Sequence, residues 1–119
     1  MNRFIMILFL FLSLSACTHY LNSGHQKSDD RHYLVVDVSI SDAEKYDRFL
    51  ALEQPILKKF GAHLEMEIRS EDEKKRHLII IFPDAETVKH FVASSEFQKI
   101  LPLAKTSSKS KVFHGKLIQ

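Results

Sequence analysis

The sequence predicts a single small α+β domain in which a four-stranded antiparallel sheet, ordered β-α-β-β-α-β along the chain, carries both helices on one face. Two observations carry most of this. Short runs with every second residue apolar alternate with longer runs in which apolar residues recur every three or four positions. The first and third strand-like runs are also the most apolar, and this connectivity makes those two central, whereas the charged second run suits an edge.

The elements follow in order. Over residues 33–40, Leu34, Val36, Val38 and Ile40 are all apolar while the other face mixes Tyr33, Val35, Asp37 and Ser39, as a strand with one buried face shows. Ser41 and Glu44 form a capping box that starts a helix, and Tyr46, Phe49, Leu50, Leu57 and Phe60 keep its stripe. Gly61 suits the position just past its end. Pro55 removes one backbone bond and is expected to bend the helix or break it near Gln54.

In the second strand, residues 62–69, Leu64, Met66 and Ile68 alternate with His63, Glu65, Glu67 and Arg69. The charged residues 71–76 make the hairpin loop, and strand three, residues 77–82, ends at Pro83. Asp84 caps a second helix with Ala85, Val88, Phe91 and Val92 inside. Ser95 opens a further helical turn, stopped by Pro102, and the closing strand spans residues 111–117. The result is a ferredoxin-like arrangement.

Pairing strands two and three puts Leu64, Met66 and Ile68 on one face with Leu78, Ile80 and Phe82, where the helices pack. The opposite face then shows Tyr33, Val35, Ile79 and Ile81, ringed by Asp37, His63, Glu65, Glu67, Arg69 and His77. An apolar patch rimmed by charge marks association. Two such sheets packed face to face would make a homodimer with symmetry-equivalent contacts.

Ahead of this domain, residues 1–16 read as a secretory signal. Met1, Asn2 and Arg3 give a positive start, residues 4–12 are wholly apolar, and Ser13 to Ala16 contribute small residues. As a helix the stretch from Phe4 to Cys17 would rise only about 21 Å, against a hydrocarbon core of about 30 Å, so it is too short to span. Leu14-Ser15-Ala16-Cys17 resembles the lipobox of bacterial lipoproteins. That resemblance implies cleavage between Ala16 and Cys17 and acylation of Cys17, with enough chains for stable membrane anchoring. Thr18 rather than Asp after the cysteine resembles the outer-membrane default of envelope sorting. Residues 17–31 then form the lipidated cysteine and a flexible polar tether, and residues 32–119 the domain.

Charge and cysteine content exclude several functions. The net charge is only +2, and the densest charged runs are mixed in sign or diluted with serine, so no nucleic-acid partner is expected. Cys17 is the only cysteine, which rules out an intramolecular disulfide. His19, His25 and His32 sit on a floppy segment and preorganise no metal site. His63 and His77 fall at opposite ends of their hairpin and cannot share an ion. No metal or cofactor is expected.

From Tyr33 to Leu117 the chain resembles the dimeric α/β barrels of ferredoxin-like type, and among them a small bacterial family without assigned function. Tyr46, Phe82-Pro83-Asp84, Ser94-Ser95-Glu96-Phe97-Gln98 and Leu101-Pro102-Leu103 carry the resemblance. It departs at Gly61-Ala62-His63, Phe97 and Ala104-Lys105, three places where such proteins commonly carry other polar groups. Haem-degrading relatives of the fold typically have Trp near Phe91 and a haem-ligating His near Leu101; both are absent, and the chain has no tryptophan.

Asp37, His77 and His114 are the available bases for a cofactor-independent oxygenase or isomerase of this barrel type, the alternative reading. For Asp37 a place at the dimer rim is the simpler account. The residues favour a non-catalytic envelope lipoprotein whose dimeric domain binds a small ligand or a protein partner.

Overall fold

A computed structural model describes residues 29–118. The signal segment, Ala16, Cys17 and the tether as far as Ser28 lie outside the described residues. Seven elements follow: β1 (His32–Ile40), α1 (Ala43–Lys59), β2 (His63–Arg69), β3 (Lys75–Phe82), α2 (Ala85–Ala93), α3 (Ser95–Ser107) and β4 (Ser108–Gly115). The strands form one antiparallel sheet in the order β2-β3-β1-β4, with all three helices against one face. This is the ferredoxin-like α+β fold expected, with the apolar β1 and β3 central.

Helix α1 starts one residue later than the capping box suggests. Asp42, not Ser41, is its N-cap, and its carboxylate accepts from the Lys45 backbone N–H at 3.1 Å. Pro55 does not interrupt the helix. At its end the Ala62 and Gly61 N–H groups donate to the Leu57 and Lys58 carbonyls at 2.9 and 3.0 Å, a Schellman closure. Gly61 has φ +70°, which favours glycine, and a Cβ there would press on Pro83 Cγ at 3.1 Å.

The second helical region is longer than expected. Asp84 caps α2 through the Thr87 N–H at 2.7 Å, and Ser94 caps α3 through the Phe97 N–H at 3.3 Å. Pro102 lies inside α3, which runs on to Ser107. Within its last turn the side chains of Thr106 and Ser107 donate to the Pro102 and Leu103 carbonyls. β4 consequently starts at Ser108, three residues before the expected position, and ends at Gly115.

The expected register of β2 is overturned. Leu64 faces Ile80 but Met66 faces Ile79, so Glu65 is the extra residue of a β-bulge. Beyond it Glu67 faces Leu78 and Arg69 faces Arg76, which turns both toward the helices. Met66 and Ile68 are thrown onto the open face, 47% and 54% exposed.

The physical reason is Arg76, expected in the hairpin loop but built into β3 and 1% exposed beneath α1. A guanidinium is costly to bury unless carboxylates are turned toward it. Asp47 of α1 accepts from it at 2.5 Å and the inward-turned Glu67 at 3.3 Å, while the Tyr46 ring lies 5.4 Å away. Arg69 closes the network on Glu67 at 2.6 Å.

Candidate functional site

The apolar stripe of α1 passes through position 53, two turns after Tyr46, and that position holds a glutamate. Packing the stripe on the sheet therefore buries a carboxyl: Glu53 is 6% exposed. It borders a cleft of about 250 Å³ between the sheet and the helices. Leu78, Ile80 and Phe82 of β3 form part of its floor, and Phe91, Phe97 and Leu101 of α2 and α3 part of its cover. Ser110, Val112 and His114 of the edge strand β4 line it as well and are exposed, so the cleft opens along β4.

Burial alone, with no hydrogen bond or neighbouring charge to offset it, pushes the Glu53 carboxyl up to about 7. Burial, and after it the Glu53 charge, raises the Tyr46 phenol well above its ordinary range. Tyr46 also lines the cleft and is kept as a protonated donor. The cleft thus offers an apolar body, one carboxyl that titrates near neutrality and one phenol two turns along the same helix.

The three bases expected from the sequence do not converge. Asp37 and His77 face each other across β1 and β3 with Oδ1 and Nε2 4.0 Å apart, both more than half exposed on the open face. His114 points to the other face, at the rim of the cleft, where its Nδ1 lies 3.0 Å from His32 Nε2. Burial, then the neighbouring His114 and Lys116, lowers the pKa of His32. His63 instead meets Glu65 at 2.7 Å, and among the described residues no three His, Cys, Asp or Glu side chains are grouped to hold a metal.

Glu53 was not among the expected bases. The signal that finds it is an acid on an apolar helical stripe, between Leu50 and Leu57, where only buried positions fall.

On the open face Tyr33 lies opposite Ile81, and Val35 opposite Ile79, as the alternation requires. The bulge extends the row to Met66 on β2, and the regular pairing of Val35 with Phe113 carries it onto β4, so it crosses all four strands. Phe113 is 67% exposed. A shallower hollow of about 530 Å³ lies on this face, bordered by Arg31, Glu65 and Leu117.

The cleft under the helices and the apolar row across the open sheet face are the two candidate sites of this α+β domain. Residues 31–114 match the family described as a domain of unknown function (DUF1330), and the chain belongs to that family. No curated protein matches the sequence. Among solved structures it is similar to SnoaB, a cofactor-independent oxygenase from Streptomyces nogalater, with 14% identity over 76% of this chain and 95% of that one and a TM-score of 0.68. A protein of unknown function from Rhodopseudomonas palustris is similar at 10% identity over 86% and 93% of the two chains, with a TM-score of 0.65. At such identities the likeness speaks for the fold.

Proposed function

We propose that the domain binds one small, mainly apolar molecule in the cleft between sheet and helices, and that it does so as a homodimer anchored to the bacterial cell envelope, at the outer membrane, through lipidated Cys17. The observation that carries the binding reading is the cleft itself. It is walled by core side chains, opens at an edge strand and contains a single carboxyl. An engineered cavity of about 150 Å³ binds benzene, so about 250 Å³ accommodates one ring or two fused rings. The lipobox at residues 14–17 supports anchoring, and the row Met66, Ile79, Val35 and Phe113 supports a face-to-face dimer. Among the described residues no helix is long and apolar enough to cross a membrane.

A second reading is a cofactor-independent oxygenase or isomerase, and the buried carboxyl favours it, since a purely structural acid in this position would be paired. SnoaB, on the same fold, is a cofactor-independent oxygenase.

Binding is tested with 2-naphthol, whose fluorescence reports transfer from water to an apolar site. The wild-type protein should saturate, whereas Ala104→Trp, which fills the cleft from α3, should not bind while keeping the far-ultraviolet circular dichroism of the wild type. Equal binding by both proteins would place the ligand elsewhere.

A further inference from the structure

We infer that Glu53 is a proton-exchanging group and that the cleft takes small apolar carbonyl compounds bearing an acidic C–H next to the carbonyl. The inference rests on the cleft being a binding site. Glu53 projects from the middle of α1 into a space whose other walls, from α2 and α3, are wholly apolar, and it lacks the cation that a structural carboxyl would have. The guanidinium nearest to Tyr46 is occupied by Asp47 and Glu67. The other titratable groups lining the cleft are Tyr46 on the same helix and His114 at the β4 rim.

A desolvated carboxylate is a stronger base than one in water, and one that titrates near the working pH can both take and return a proton. Tyr46, two turns or about 10 Å along the helix axis, is the donor available to a carbonyl oxygen. The step balances without oxidant or cofactor. The Glu53 carboxylate takes the C–H proton, the C–H pair becomes the C=C bond of an enolate, and the carbonyl π pair moves to the oxygen that Tyr46 holds. The Glu53 acid then returns the proton to the same carbon, or to the far end of a conjugated system, which isomerises it.

The test uses the full chain in phospholipid nanodiscs, with empty nanodiscs as the control. The probe is 2-tetralone in deuterated buffer, with exchange of its α-protons followed by NMR and its binding by saturation transfer. The wild type is expected to accelerate exchange above buffer, with a rate that rises through about pH 7 as Glu53 ionises. Glu53→Gln is expected to bind 2-tetralone and lose at least about 100-fold of the enzymatic exchange, the lower end of what one general base contributes. Tyr46→Phe should retain binding with a smaller loss. Binding by both proteins with equal exchange rates overturns the role of Glu53 and leaves the cleft reading intact; binding by neither overturns both.

Discussion

At the scale of single residues, Glu53 sets the chemistry of the cleft and also a cost to the fold. Its folded pKa of about 7 lies above the ordinary 4.5, so the folded state holds a proton that the unfolded state releases between those values. The contribution of this group is therefore fully present below about pH 4.5 and is lost as pH rises through 7. The shift corresponds to about 3 kcal/mol once complete. Glu53→Gln should accordingly melt with the wild type at pH 4.5 and above it at pH 8, which thermal unfolding followed by circular dichroism at the two pH values checks. A residue of this kind is visible in the sequence only to a reader who asks what an acid is doing on a core stripe. The strand residues Asp37, His77 and His114 draw attention first, yet they are spread over two faces of the sheet.

At the scale of elements, the bulge in β2 and the buried Arg76 form one device. Alternation in Leu64, Met66 and Ile68 reads as a regular edge strand, and nothing within those residues announces the extra one at Glu65. Its counterpart is remote: Arg76 sits under α1, and Glu67 turned inward gives it a second carboxylate beside Asp47. A tertiary charge contact thus accompanies the break in the local hydrophobic pattern. Glu67→Ala leaves Arg76 with Asp47 alone and should cost about 1–3 kcal/mol, read from urea denaturation. Asp84 at the start of α2 and Gly61 after α1 were legible because each acts through its own backbone neighbours. The run of α3 through Pro102 was not, because a proline deep in a helical pattern reads as a stop, although it removes only one backbone bond.

At the scale of the whole molecule, the strand order and the central places of β1 and β3 follow from the ranking of strand hydrophobicity, and the sequence carries that ranking openly. The bulge adds Met66 and Ile68 to the open face and removes Glu67 and Arg69 from its rim, so the face is more apolar than alternation suggests. A homodimer through this face would leave both clefts, on the opposite side of each sheet, open along β4. Ile79→Glu, at the centre of the apolar row, should convert a dimer to monomers in sedimentation velocity without loss of ligand uptake, because Ile79 borders the open face and not the cleft. Two lipidated Cys17 residues per dimer would then make the anchorage bivalent.

The central claim, one small apolar ligand per cleft, is tested most directly by native mass spectrometry of the full chain released from nanodiscs in the presence of 2-naphthol. A two-chain species carrying two 2-naphthol molecules, with none on Ala104→Trp, is the predicted result. A wild-type protein that takes up none, or an Ala104→Trp variant that takes up as many, would contradict it.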